Sequence, residues 1–394
     1  MAFAAAVGAR FLLRELRGFS IAMDSILEHF RRFDWFLLGA VAVLIAMGLV
    51  TLFSLRDAST FPFFERQLVW SAIGFAALVS LSFLDFRFFR AQSGVVLGLY
   101  LISGFLLVFV VVSKVTFRGI SAWIQIGNIF IQPVEIAKLA LIILLAKFFS
   151  NRHIEIYRIR HLIVSGMYFL IPTLLVLLQP DLGSALVLVA IWLSIIIFSG
   201  MKLRHIFLLG IASVFVAGIA WSFLLAPYQK SRITSFVNPY SDPKGAGYQM
   251  IQSMIAVGSG GLWGKGLGYG SQSHLNFLPE AETDFVFAAF AEEWGFVGVS
   301  VMFFSFLVLL ARIIWIGMKS SDSFSRLYTL GFAAFIFSQA FVHIGMNMGV
   351  MPITGITLPF VSYGGSSLVS ILAGVGILQN IRINSRRAFE DREF

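Results

Sequence analysis

Three carboxylates, Glu280, Glu282 and Asp284, alternate along Asn276-Phe277-Leu278-Pro279-Glu280-Ala281-Glu282-Thr283-Asp284, immediately before an apolar run that opens at Phe285. A helix amino terminus favours an anion, and a carboxylate held there suits a general base that takes a proton from a hydroxyl. Asp284 has a plainer reading as the N-cap of that helix, although three acids at one helix mouth exceed what capping needs. A second constellation is Glu135 and Lys138 in Gln132-Pro133-Val134-Glu135-Ile136-Ala137-Lys138. They are three apart on one helix face, with Pro133 suited to the first helical position. Each charge inside an apolar span costs about 2.5–3.5 kcal/mol on insertion scales. The pair is therefore either an ion pair that admits both residues to a bundle or part of a site, where its cation could also meet a phosphate.

Further acids follow the same logic. Asp181, in Gln179-Pro180-Asp181-Leu182-Gly183, reads as a helix N-cap. Glu292 and Glu293 fall two to three turns into the run after Asp284, and at least one is expected to face a polar cavity. The segment Gly355-Ile356-Thr357-Leu358-Pro359-Phe360-Val361-Ser362-Tyr363-Gly364-Gly365-Ser366-Ser367 is a polar, glycine-rich turn feeding a helix. Its N–H groups could receive an anion. Trp123, in Arg118-Gly119-Ile120-Ser121-Ala122-Trp123, stands where an interface tryptophan would anchor a span.

The elements that must position these residues are membrane helices. Of 394 residues 58% are hydrophobic and only 12% charged, whereas soluble chains are about half apolar and a quarter charged. The expected fold is an all-α polytopic membrane protein of about ten transmembrane helices, with one large extracytoplasmic loop between spans 7 and 8. The spans are expected near Trp35–Ser54, Leu68–Leu84, Gly94–Ser113, Pro133–Phe149, Leu162–Leu178, Leu182–Gly200, Ile206–Leu225, Phe285–Ala311, Leu327–Met348 and Ser367–Ile381. Many of the 43 phenylalanines suit lipid-facing surfaces. Residues 1–33, rich in arginine, form an amino-terminal arm; 34–381 form the membrane domain; 382–394 form a tail. Lys and Arg concentrate on the side of both termini, which places the ends in the cytoplasm and the loop 226–284 outside.

That loop begins with turns at Asn238–Pro243, continues into an expected short helix over Tyr248–Ala256, and then carries seven glycines between Gly258 and Gly270. A nucleotide-binding loop is excluded. Gly264-Lys265 is followed by Gly266 instead of Ser or Thr, and Ser259 stands where the first glycine belongs. Tight turning or flexible backbone is the reading that remains. The net charge of +9 is scattered over short loops, which excludes a nucleic-acid face. With no cysteine and six scattered histidines, neither a thiolate site nor a zinc motif is present.

At these motifs the chain resembles the SEDS family of bacterial peptidoglycan polymerases, over about residues 34–381. Four segments carry the resemblance: Gln132-Pro133-x-Glu135-x-x-Lys138, Gln179-Pro180-Asp181-Leu182-Gly183, Leu278-Pro279-Glu280-x-x-Thr283-Asp284-Phe285 with Glu292-Glu293, and Ser362-Tyr363-Gly364-Gly365-Ser366. The stretch Gln272–Phe277 is more similar to the RodA (elongation) branch than to the FtsW (division) branch. The resemblance implies polymerisation of lipid II into β-1,4 glycan at the outer face of the cytoplasmic membrane, with release of undecaprenyl diphosphate. It makes Asp284 the essential acid and assigns site roles to Glu135, Lys138 and Trp123. Arg118, Lys138, Lys230 and Arg232 become candidate partners of the diphosphate, with a divalent cation, Mg or Mn, as a candidate assistant. Glu292, Glu293, Asp181 and Ser362 are supporting residues.

Two positions depart from the family pattern: Ala122 stands where Arg usually precedes the tryptophan, and Val134 replaces Ser in the Gln-Pro motif. The resemblance also implies a class B penicillin-binding protein, a transpeptidase, as partner. The competing classes are a lipid-linked precursor transporter, against which the absence of a clear internal repeat counts, and a scaffold without catalysis.

Overall fold

A computed structural model describes residues 24, 27–58, 61–113, 122–127, 129–151, 159–219, 221–222, 227–243 and 245–390. The elements, in order, are α1 (Trp35–Ser54), α2 (Phe63–Phe83), the short α3 (Arg87–Ala91), α4 (Ser93–Ser113), a hairpin of β1 (Ile124–Ile126) and β2 (Ile129–Ile131), and α5 (Pro133–Ser150). Next come α6 (Ile159–Leu178), α7 (Leu182–Phe198), α8 (Leu203–Ile219), α9 (Pro227–Val237), α10 (Ala246–Ser259), α11 (Ser271–His274), α12 (Val286–Lys319), α13 (Ser323–Asn347) and α14 (Gly365–Glu390). A helix stands at each of the ten expected spans. Seven of them are long and apolar enough to cross a membrane. Of the other three, α5 carries Glu135, Lys138 and Lys147, while α7 and α8 have 17 residues each.

Local chemistry fixes the helix starts. Asp34, Asp181 and Asp322 each cap a helix by accepting from a backbone N–H in its first turn, and Pro133 opens α5. The centre of the bundle is α5, α13 and α14, whose residues are buried nearly all round. Around them α14 packs on α2, α13 on α7 and α5, and α12 on α1. Gly376 lets α14 approach α2 closely, since a Cβ there would stand 2.5 Å from the Leu78 carbonyl oxygen. Phenylalanine serves both surfaces: Phe287, Phe290, Phe332 and Phe335 are buried, whereas Phe36, Phe105 and Phe304 are exposed on the outside of the bundle.

Among its described residues, the long loop between α8 and α12 carries helices. Its expected helix extends over Ala246–Ser259, and a 3₁₀ turn occupies Pro239–Ser241. The helix α9 was not anticipated. The small-residue pair Gly345 and Gly349 packs inside the chain, against Met351 and against Met250 and Met254.

Candidate active site

The site grows from one polar edge of α13. Gln339, His343 and Asn347, each a turn apart, are all buried; the first two reach the turn before α14 and the third reaches the end of the long loop. Asn347 Nδ2 donates to the Asp284 carbonyl at 2.9 Å, and its Oδ1 accepts from Ala288 N at 3.1 Å. A side chain of another helix thus serves the amino terminus of α12, whose N-cap residue, Phe285, has no capping side chain. Asp284 lies one position before that cap and is only partly buried.

His343 Nδ1 lies 2.7 Å from the Ile356 carbonyl, so the proton sits on Nδ1 and Nε2 is left as an acceptor. Gln339 Nε2 donates to the Thr357 carbonyl at 3.0 Å and to Thr357 Oγ1 at 3.1 Å. Its Oε1 accepts from Lys138 Nζ at 3.3 Å. Lys138 is completely buried and ion-paired to Glu135 at 2.8 Å. The second Glu135 oxygen, Oε2, has no hydrogen-bond partner among the described residues.

The glycine-rich turn before α14 closes on the same place. Ser362 Oγ donates to the Thr283 carbonyl at 2.9 Å and accepts from Leu358 N at 2.8 Å, while Tyr363 N donates to the Glu282 carbonyl at 3.0 Å. Gln67 on α2 holds the turn from behind, donating to the Ser362 carbonyl at 3.2 Å. A Cβ built on Gly355 would stand 3.6 Å from Asp284 Oδ2, so the carboxylate faces this turn. Tyr363 is packed edge-on against Phe61 and Phe63; burial raises its phenol above the ordinary value, with Arg66 pulling the other way.

Residues far apart in the chain are thereby gathered at one point: Asp284, Ser362, Thr357 and the Glu135–Lys138 pair belong to one connected network. Asp181 joins its edge as the cap of α7, accepting from Ser184 N at 2.8 Å, and Gly183 in the same turn abuts Ile356 and Thr354.

Other expected residues stand apart from this network. Glu292 accepts from Lys265 Nζ at 2.7 Å, Gln272 N at 2.9 Å and Ser273 Oγ at 3.1 Å. Glu293 accepts from Ser54 Oγ at 2.6 Å and Gly268 N at 3.1 Å, and pairs with His274 at 2.9 Å. Both carboxylates thus tie down the glycine-rich segment of the loop. Helix α12 breaks just after them, at Gly295, with φ 63° and ψ −164°. There the loop supplies the missing hydrogen bonds: Lys265 N and Gly266 N donate to the carbonyls of Glu292 and Glu293, and Phe296 N and Val297 N donate to those of Gly261 and Leu262.

Lys230 lies over the Trp221 ring at 5.9 Å on α9, which also carries Arg232 and packs on α10 and the Pro239–Ser241 turn. Trp123 is partly buried just before the hairpin, whose Phe130 carbonyl accepts from Ser366 Oγ at 3.3 Å. Arg118 lies outside the described residues.

A profile of the cell cycle protein family, FtsW/RodA/SpoVE, matches residues 30–387. The chain belongs to that family. Among curated relatives, this FtsW/RodA/SpoVE protein is 38% identical to the peptidoglycan glycosyltransferase MrdB of Escherichia coli K12, over 82% of this chain and 86% of that one. It is also 38% identical to stage V sporulation protein E of Bacillus subtilis, over 90% and 98%. Among solved structures, a peptidoglycan synthase complex described as coordinating polymerization and crosslinking superposes with a TM-score of 0.76 at 33% identity, covering 90% of this chain and 98% of that one. The rod shape determining protein RodA of Thermus thermophilus gives 0.66 at 32%, covering 89% and 96%. Sequence reasoning passed over Gln339, His343 and Asn347 of this FtsW/RodA/SpoVE chain. The signal was available, because polar residues four apart in an apolar run share one helix face and mark a polar interior.

Proposed function

We propose that the chain is a peptidoglycan glycosyltransferase that polymerises lipid II into β-1,4 glycan strands. The observation that carries the reading is the convergence of Asp284 with the Gly355–Ser362 turn and the buried Glu135–Lys138 pair on a single polar edge of α13. Asp284 acts as general base on the 4-hydroxyl of the acceptor N-acetylglucosamine. Its carbonyl is fixed by Asn347, so the carboxylate is presented on a positioned backbone. Attack opposite the α-linked diphosphate inverts the donor anomeric carbon and expels undecaprenyl diphosphate without a covalent enzyme intermediate. Lys138 is bound by Glu135 and Gln339, which suits it to setting the field around the site. Lys230, Arg232 and Arg118 are the cations proposed for the diphosphate, and Trp123 a contact near it.

Three or more His, Asp or Glu side chains do not converge anywhere among the described residues, so a protein-built metal cage does not fit. A divalent cation, Mg or Mn, fits here only when held chiefly by the substrate's phosphates, and no step depends on it. The excess of Lys and Arg on the side of both termini supports a cytoplasmic position for them and an outward-facing site. Relatives that include a synthase complex support a class B penicillin-binding protein as partner. The Gln272–Phe277 segment supports the elongation branch, which rescue of an elongation-deficient rather than a division-deficient strain would test.

The deciding experiment is polymer formation from purified lipid II, with and without a co-purified transpeptidase. Asp284→Asn is expected to insert and fold normally and to make no polymer. Full polymerisation by that variant overturns the base assignment, and lipid flipping without polymer by the unmodified chain supports the transporter reading instead.

A further inference from the structure

Helix α5 carries a second buried cation at its other end. Its 18 residues span about 27 Å at about 1.5 Å per residue, close to the roughly 30 Å of membrane hydrocarbon. Glu135 lies in its first turn and Lys147 in its last, so Lys147 reaches head-group depth in the leaflet remote from Asp284. Lys147 is 6% exposed, and its Nζ donates to the Phe89 carbonyl of α3 at 3.1 Å. One acceptor serves three donors, and among the described residues no carboxylate pairs with it.

This ammonium lines a cleft of about 260 Å³ between α4, α5 and α6. Leu97, Leu144, Phe148 and Tyr168 give it apolar walls, while Ser93 and Asn151 add polar groups. Beside it, α3 packs on α4 and α5 and exposes Arg87 and Arg90. Along α4 the wall continues as the exposed apolar side chains Leu101 and Phe105. A basic residue in a last turn is accounted for by the helix dipole. Its burial at the base of an open cleft, beside an exposed apolar face of α4, is not. The arrangement complements an anionic amphiphile, with phosphate on the ammonium and acyl chains along α4.

We propose that this cleft binds the phosphate head group of an anionic phospholipid from the leaflet opposite Asp284, with Lys147 as its cation. Free phosphate shares the head-group chemistry but has no use for the apolar walls, and the test separates the two. The full chain is placed in phosphatidylcholine nanodiscs containing a trace of photoactivatable phosphatidylglycerol or, in a parallel sample, photoactivatable phosphatidylcholine, and crosslinked residues are mapped by mass spectrometry.

The phosphatidylglycerol probe should label α4–α6 around Leu97 and Phe148 in preference to the phosphatidylcholine probe. Unlabelled phosphatidylglycerol should compete and inorganic phosphate should not. Lys147→Gln should lower the yield about fivefold or more. Lys147→Arg should retain it, and so should Lys319→Gln, which removes an exposed lysine from the last turn of α12. Equal labelling by both probes, displacement by inorganic phosphate, or unchanged labelling of Lys147→Gln overturns the proposal. Should Lys147→Gln fail to insert, the head-group preference and competition in the unmodified chain and in Lys147→Arg decide the matter by themselves.

Discussion

Lys138 is enclosed completely, with Glu135 on one side and Gln339 on the other. A buried ion pair contributes little net stability, but removing one partner strands the other in an apolar interior, at a cost of about 3–5 kcal/mol. Glu135→Gln is therefore expected to lower the thermal unfolding temperature strongly in detergent, while Glu135→Gln combined with Lys138→Met should recover much of the loss. Equal destabilisation of the single and double variants would show that the pair does not act as a pair. At this scale the sequence was informative about residue types and silent about partners. The spacing of Glu135 and Lys138 exposed their pairing, and Asp181 reads as a cap and is one. Nothing in the one-dimensional pattern joined Asn347 to Asp284, because the two are 63 positions apart and meet only through the packing of α12 on α13.

Among the elements, the joint in α12 is the one the hydropathy pattern concealed. The apolar run continues through Gly295, so a single helix is the natural expectation, yet the backbone there turns to positive φ and the glycine-rich loop takes over the hydrogen bonding. The seven glycines read as tight turns, and four of them, Gly261, Gly264, Gly266 and Gly268, adopt positive φ. A Cβ on Gly264 would stand 2.0 Å from the Glu293 carbonyl oxygen, whereas one on Gly258 meets nothing within 4 Å. Gly264→Ala should therefore destabilise by about 2 kcal/mol or more and open the loop to limited proteolysis. Gly258→Ala, inside α10, should be neutral or stabilise by about 0.5–1 kcal/mol. The hairpin Ile124–Ile131 and the short α3 escaped notice because three to five residues hold too little periodicity to register.

For the whole molecule, the ten helices were legible from hydropathy alone, since each apolar run has to bury or face lipid along its length. Their arrangement was not, because which helix sits at the centre depends on close contacts such as Gly376 against α2. Sidedness can be tested directly, because the chain has no cysteine of its own. With Ser241→Cys in the long loop and Ser321→Cys between α12 and α13, both exposed, a membrane-impermeant maleimide should label the first in intact spheroplasts and the second only after lysis. The reverse pattern would invert the orientation.

The break at Gly295 also divides labour along α12. Between Asp284 and the joint lies only a segment of about two and a half turns, tied to the loop through Glu292 and Glu293 and to α13 through Asn347, while the longer remainder of the helix continues past the joint. The segment answers to both the loop and α13, and is not simply the tip of a 34-residue rod. Anything that grips the loop from outside the membrane has a short lever to the carboxylate, with the bundle as its fixed fulcrum.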